Sequence, residues 1–257
     1  MKPENECEII AVANQKGGVG KTTTAINLSA ALAIAERRVL LIDLDPQANT
    51  TTGMGIDKGR NKGDIYSVLS AGATVEGVAQ GSELAFLRIV PASRNLAKFE
   101  LEVVAEDENH LYLQRVLSTQ RALYDYIIID LPPSLGLLTI NALTAADSVL
   151  IPIQTEYYAL EGLSDLMNTI ERIREHFNPQ LAIKGVLLTM FDERTNLSRQ
   201  VEDELRKYFQ SKVYSTIIPR NIRLSEAPSF GKPIQVYDIK SAGAKAYMML
   251  AQEIFGQ

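Results

Sequence analysis

Short apolar runs alternate along the chain with longer stretches whose apolar positions recur every three or four residues, the pattern of strands joined by amphipathic helices. Glu8-Ile9-Ile10-Ala11-Val12-Ala13-Asn14 is the first such run and stops at a glycine-rich turn, Lys16-Gly17-Gly18-Val19-Gly20. A helix is predicted from Lys21 to Glu36, where Ile26, Leu28, Ala31, Leu32 and Ala35 cover one broad face. Val39-Leu40-Leu41-Ile42 is the next strand, and it runs into Asp43-Leu44-Asp45-Pro46. Further strands are predicted at Phe86–Val90, Tyr126–Asp130, Ser148–Ile153, Ala182–Met190 and Val213–Ile218, with helices at Leu135–Ala145, Leu160–Phe177 and Ser198–Phe209. Strands that are apolar along their whole length are covered on both faces, so the pattern predicts an α/β fold: a mainly parallel twisted sheet with helices on both sides. No repeat or Pro/Ser-rich linker interrupts it. Residues 8–257 are therefore read as one domain behind a short polar tail, residues 1–7, with Gly53–Gly63 and the acidic Glu100–Asn109 as surface excursions.

Composition narrows the class. With 257 residues, 46% of them hydrophobic and 22% charged, collagen-like, coiled-coil and disordered chains are excluded. Cys7 is the single cysteine, which excludes an intrachain disulfide framework and a multi-cysteine metal site and fits a reducing compartment. The first residues lack the basic start and apolar stretch of a signal peptide, and the longest apolar runs are far short of the roughly 18 residues that span a bilayer, so a cytoplasmic location is expected. Net charge is −5, but unevenly spread: residues 1–183 carry 15 Lys+Arg against 23 Asp+Glu, net −8, while residues 184–245 carry 11 against 7, net +4. An anionic partner is expected at the C-terminal third. The cluster Glu100, Glu102, Glu106, Asp107 and Glu108 reads as a solvated face, and His110 and His176, far apart and without a metal-spaced companion, as surface residues. Tyr157 and Tyr158 fit an interface and a core position equally well.

The glycine-rich turn carries the chemistry. A phosphate-binding loop needs a strand to aim it, small residues so that backbone N–H groups converge on phosphate oxygens, and a helix N-terminus whose partial positive charge faces the anion. All three occur between Glu8 and Glu36. In that arrangement Lys21 sits against the β- and γ-phosphates and the Thr22 hydroxyl ligates Mg²⁺, making ATP and Mg²⁺ the expected ligands. The usual first glycine is replaced by Gln15, and a second lysine, Lys16, stands beside it.

The string Lys16-Gly17-Gly18-Val19-Gly20-Lys21-Thr22-Thr23 resembles the deviant Walker A motif of the ParA/MinD superfamily of P-loop ATPases. Asp43-Leu44-Asp45-Pro46-Gln47 follows it, Ile129-Asp130-Leu131-Pro132-Pro133-Ser134 is similar to the family's Walker B segment, and Pro219 to Ser229 is similar to a segment of the chromosomal ParA, or Soj, branch. Leu131 stands where cysteine is usual in that branch. The resemblance implies that Lys16 touches the nucleotide of a partner subunit in an ATP-dependent homodimer. It implies that Lys16 through Thr23 bind the nucleotide, that Asp45 orients the attacking water, that Asp43 supports the loop, and that Met190, Pro219, Arg220 and Asn221 contact adenine. Thr22, Asp45 and Asp130 are then the residues around Mg²⁺, Asp130 because it ends an apolar strand at the carboxyl edge and should hold a Mg²⁺-bound water. Lys16, Lys21, Asp45 and Asp130 are the catalytic candidates.

The superfamily is a set of switches with different cargo, and the sequence sorts among them. One cysteine excludes the iron–sulfur reductases with paired cysteines and the zinc-bridged targeting ATPases. The end of the chain, Ala244 to Gln257, has one lysine and one glutamate, unlike the basic amphipathic tail of a MinD-like membrane switch, and reads as a docked core helix. Among the basic residues Arg194, Arg199, Lys212, Arg220, Arg223, Lys240 and Lys245, Arg194 and Arg223 match positions that resemble the family's non-specific DNA contacts. The resemblance therefore implies a slow ATPase, at home on the nucleoid, that partitions chromosomes or plasmids with double-stranded DNA and a ParB/Spo0J-type protein as partners, and no membrane. An operator-reading helix-turn-helix is not expected, since only a short segment precedes Glu8.

Overall fold

Apolar runs too short for a helix become strands, and the computed structural model, which describes residues 7–57, 63–156 and 161–255, gathers seven of them into one sheet. The first half of the chain runs β1 (Glu8–Val12), α1 (Lys21–Ile34), β2 (Val39–Asp43), α2 (Asn49–Gly53), α3 (Ile65–Ser70), α4 (Val75–Val78), β3 (Gln80–Gly81), β4 (Leu87–Val90), α5 (Leu96–Val103) and α6 (Tyr112–Ser118). The second half runs β5 (Tyr126–Asp130), α7 (Leu137–Ala145), β6 (Ser148–Gln154), α8 (Glu161–His176), β7 (Ala182–Thr189), α9 (Asn196–Phe209), α10 (Ile222–Glu226), α11 (Ile234–Tyr237) and α12 (Ala242–Phe255).

The order across the sheet is β3-β4-β2-β5-β1-β6-β7, parallel throughout except for the short β3 against β4. The chain leaves central β1 toward β2 and later passes from β5 over β1 to β6, so the connections diverge around β1, and a crevice opens at the carboxyl ends of the strands there. Register fixes what meets in it. Val12 pairs with Asp130 and Asp43 pairs with Asp130, so the ends of β1, β5 and β2 stand at one height.

Alternation along each strand feeds two cores. Ile9, Ala11, Ile127, Ile129, Leu40 and Ile42 face one layer, and Ile10, Val12, Ile128, Val39 and Leu41 face the other, all essentially buried. The second layer is closed by α1 and α12, whose small residues Ala25, Ala30, Ala31, Gly243, Ala244 and Ala251 are buried and let the backbones approach. A Cβ on Gly243 would lie 2.6 Å from Leu224 Cγ, so α12 reaches α10 only through glycine. The Thr24 and Tyr247 hydroxyls meet at 3.1 Å inside this layer, where burial pushes the Tyr247 phenol up. The terminal helix is docked, as its composition predicted, and no helix among the described residues is long and apolar enough to cross a membrane.

Several expectations are corrected. Val213–Ile218 is not a strand: it makes only isolated parallel bridges, Val186 with Val213 and Phe191 with Pro219. The Glu253 carboxylate accepts hydrogen bonds from Ser215 N (2.7 Å) and Thr216 N (3.0 Å), while Tyr214 N and Ile218 N donate to Val186 O (3.0 Å) and Leu188 O (2.9 Å) of β7. The first helix ends at Ile34, because the chain turns through a left-handed Glu36 (φ 59°). Cys7, placed in the polar tail by its neighbours, is buried, and its carbonyl accepts from Arg121. The acidic segment begins as α5, with Phe99 and Val103 buried and Leu101 exposed. Tyr157 and Tyr158, and residues 58–62 of the glycine-rich excursion, lie outside the described residues.

Candidate functional site

Between β1 and α1 the chain must reverse within a few residues. Gly18 and Gly20 make that possible, with φ of 77° and 89° that side chains rarely adopt, and Gly20 is the residue from which α1 starts. A Cβ on Gly17 or Gly18 would meet nothing within 4 Å, so the loop borders open space. It is pinned from behind. Asn14 donates to Pro152 O (2.7 Å) and accepts from Lys16 N (2.9 Å), and the Thr189 hydroxyl at the end of β7 donates to Val19 O (2.8 Å). Lys21, buried, donates from Nζ to Lys16 O at 3.0 Å. Burial lowers its pKa, with the carboxylates of Asp130 and Asp45 acting in the opposite sense.

Three aspartates stand beside the loop. Asp130 is fully buried, and its Oδ2 accepts from Thr22 Oγ1 and from Thr50 Oγ1, each at 2.8 Å. Its Oδ1 is buried with no hydrogen-bond partner among the described residues. An orphaned carboxylate oxygen beside the helix-starting threonine is the donor set a hard cation takes, directly or through its water, so Thr22 and Asp130 fit Mg²⁺. Asp43 is occupied otherwise, accepting from Thr51 N and Thr51 Oγ1 (both 2.7 Å) and Asp45 N (3.1 Å), which suits a support. Asp45 accepts from Gln47 N at 2.8 Å and lines the crevice. Burial, followed by repulsion from the neighbouring carboxylates, pushes Asp43 up to about 6 and Asp130 up to about 7. Two carboxyl groups that resist ionisation next to a cationic loop are arranged to receive positive charge.

The crevice holds about 640 Å³ and is lined by Gly17, Gly18, Gly20, Lys21, Thr22, Thr23, Asp45, Asn49, Pro133 and Met190, and on its far wall by Ala227, Pro228, Ser229 and Lys232. Met190 holds a left-handed backbone (φ 50°) where β7 ends. Pro219, Arg220 and Asn221 are not in this wall. They are drawn toward β7 by Arg220 N donating to Phe191 O at 3.0 Å, and Asn221 caps α10, which leads into the lining residues Ala227 to Ser229. Lys16 Nζ lies 3.3 Å from a Glu156 carboxylate oxygen, and Lys16 is not among the residues lining the crevice. Arg194 and Arg223 lie outside it, exposed and ion-paired: Arg194 bidentate to Asp192 (2.7 and 2.8 Å), Arg223 to Glu226 (2.8 Å) and Asp238 (3.6 Å). The Arg194 guanidinium holds the Asp192 carboxyl down at about 2.

Sequence reading missed Thr50, Thr51, Thr189 and the Ala227–Lys232 wall. The run Asn49-Thr50-Thr51-Thr52 after the aspartate segment was the available signal, but only α2 shows which hydroxyl faces which carboxylate.

Known proteins resemble this chain along most of its length. A family described as an AAA domain matches residues 7–183. The sporulation initiation inhibitor protein Soj of Bacillus subtilis is 55% identical over 247 residues, covering 96% of this chain and 98% of that protein. The chromosome partitioning protein ParA of Myxococcus xanthus is 54% identical, covering 96% and 87%. Among solved structures, the Mycobacterium smegmatis protein described as a cobyrinic acid a,c-diamide synthase, with a bound ATP analogue and magnesium, superposes with a TM-score of 0.84 at 35% identity over 96% of this chain and 93% of its own.

Proposed function

The chain belongs to the ParA/Soj family of chromosome-partitioning ATPases, and from that premise we propose that it is an ATP-driven switch that dimerises on nucleotide, binds double-stranded DNA without sequence preference, and is reset by a ParB-type partner that stimulates hydrolysis. The observation that carries the ATPase chemistry is the orphaned Asp130 Oδ1 next to the Thr22 hydroxyl under the phosphate loop.

The residues divide the work. N–H groups of Gly17 to Thr22 cradle the phosphates, and the Lys21 ammonium, released from Lys16 O, neutralises charge on the β- and γ-groups. Thr22 and Asp130 hold Mg²⁺, directly and through water; when bound, the ion supplies charge neutralisation at the phosphate oxygens. Asp45, at the crevice wall, orients a water for in-line attack on the γ-phosphorus, and the β–γ bridging oxygen leaves with ADP. Lys16 is partly exposed and does not line its own crevice, which leaves it for the role of reaching another subunit's phosphates. Met190, which lines the crevice, is assigned to its adenine end, and Pro219–Asn221, outside the lining, support it through α10, which leads into Ala227 to Ser229.

DNA binding rests on the +4 balance of residues 184–245 and on exposed Arg194 and Arg223. Sedimentation of the protein over DNA and over anionic liposomes, with and without ATP, tests the whole reading. ATP-dependent co-sedimentation with DNA is expected. Binding to liposomes and not to DNA would replace it with a membrane switch.

A further inference from the structure

We infer that Thr50 is a positioning residue for Asp130: its hydroxyl fixes the carboxylate so that one oxygen stays turned toward the cation position beside Thr22. The inference rests on the reading of Asp130 as the carboxylate that holds Mg²⁺ through water. Thr50 lies 80 residues from Asp130 in sequence and is fully buried, yet its Oγ1 is 2.8 Å from Asp130 Oδ2. Thr22 Oγ1 donates to that same oxygen at 2.8 Å. Two donors therefore converge on Oδ2 from different segments, one from the phosphate loop and one from α2, and neither takes Oδ1.

The arrangement matters because of how an aspartate turns. The torsion that rotates its carboxylate is broad and nearly two-fold, so a single donor on one oxygen leaves the group free to swing and exchange oxygens. A second donor from another direction fixes the plane. Thr22 cannot do this alone, since its oxygen is also the ligand the cation takes and its geometry follows the ion. Thr50 has no such second duty. It is pre-formed by α2, whose next residue, Thr51, gives both its N–H and its hydroxyl to Asp43 on the neighbouring strand. The paired ends of β2 and β5 are thus held by consecutive threonines, and α2 is clamped in place by the Thr51 bonds whether or not Thr50 is present. Thr50 also follows Asp45 by five residues, in a turn closed by Ala48 N on Asp45 O at 2.8 Å, so one short segment carries the water-orienting carboxylate and the group that orients Asp130.

Partners of this kind around a metal site are worth about 10–100-fold in metal affinity when removed. The test is a titration of a fluorescent ATP analogue across Mg²⁺ concentrations, read as the Mg²⁺ midpoint, with a parallel titration in EDTA. Thr50→Val keeps the volume and removes the donor; it is expected to raise the Mg²⁺ midpoint about tenfold or more while leaving affinity in EDTA unchanged. Thr50→Ser, which restores the hydroxyl, is expected to return the midpoint to that of the parent. A purely structural threonine would lower the melting temperature in Thr50→Val and leave the midpoint in place, and that result overturns the inference. Should Thr50→Val not fold, the smaller Thr50→Ala is compared with Thr50→Ser, and equal Mg²⁺ midpoints again overturn it. Asp130→Asn separates the two levels of the argument. If it shifts the midpoint and Thr50→Val does not, the role of Thr50 fails alone; if Asp130→Asn leaves the midpoint unchanged, the reading of Asp130 fails and takes this one with it.

Discussion

At the scale of single residues, the crevice separates groups that bind from groups that react. Lys21 is buried under the loop, and Lys21→Ala should weaken ATP binding about ten- to a hundredfold, the worth of a charge-assisted contact, in an equilibrium titration. Lys16 pairs with Glu156 and does not line the crevice, so Lys16→Ala should bind ATP normally yet lose the stable dimer in sedimentation velocity or lose turnover; parental hydrolysis would remove its role across the interface. Asp45→Ala should bind ATP and dimerise but release phosphate about a hundredfold more slowly or worse, leaving a long-lived dimer. The aspartates also give a pH signature. Asp43 and Asp130 have folded pKa values of about 6 and about 7, above that of an unfolded aspartate, so the folded state holds more protons between about pH 4 and 7 and loses stability as pH rises through that window. Asp125, Asp192 and Glu253 shift the other way and act at the acid end. Urea unfolding of the nucleotide-free protein in EDTA should therefore show stability falling from about pH 5 to about pH 8, and Asp130→Asn should flatten that slope; a parent and variant with equal slopes would count against it. Lys21 and Asp45 line the crevice and Asp130 bonds to Thr22 beside it, where motif spacing puts them, whereas Lys16 is outside the lining. Thr50 and Thr51 were not legible in the sequence, because three consecutive threonines look alike until a helix turns one toward Asp130 and the next toward Asp43.

At the scale of elements, burial decided what the pattern made visible. The central strands were legible as unbroken apolar runs because a parallel sheet covered on both sides tolerates nothing else. Val213–Ile218, broken by Ser215 and Thr216, bonds to β7 only through Tyr214 N and Ile218 N, while Ser215 N and Thr216 N go to Glu253, a carboxylate far along the chain that no local reading can bring to bear. β3, only two residues long, has no pattern to detect. The terminal helix offers the clearest quantitative test. Leu250 is fully buried between α12 and the sheet, whereas adjacent Met249 is 57% exposed. Leu250→Ala should destabilise the protein by about 2–5 kcal/mol in urea denaturation, and Met249→Ala by less than about 0.5 kcal/mol. Similar costs for the two would mean that α12 is not docked in solution, and the membrane-switch alternative would regain ground.

At the scale of the molecule, net charge and DNA binding pull against each other. The chain carries −5 overall, and its basic third is only +4, so long-range attraction to DNA is weak for one subunit. The two arginines assigned to DNA are further compromised, since Arg194 is neutralised by Asp192 and Arg223 by Glu226 and Asp238. Each phosphate that Arg194 or Arg223 meets must displace a carboxylate that is already in place, whereas Arg199, Lys212, Lys240 and Lys245 are exposed with no ion pair among the described residues. Exposed ion pairs of this kind are weak, so displacement is feasible but reduces what each arginine contributes. In the proposed switch, doubling the surface in an ATP-bound dimer would overcome the deficit and make nucleotide the gate. Two consequences distinguish such a gated surface from simple charge attraction. Arg194→Ala with Arg223→Ala should lower DNA affinity and reduce the salt dependence by roughly 0.9 in slope for each phosphate no longer neutralised, with ATP-dependent dimerisation intact. Asp192→Asn should act oppositely, freeing Arg194 and raising affinity at low salt, including for the nucleotide-free monomer. Fluorescence anisotropy with a short duplex at several salt concentrations reads both. If Asp192→Asn weakens binding, the aspartate orients Arg194 for phosphate instead of competing with it; if the double arginine variant keeps the parental salt slope, DNA is held by another surface.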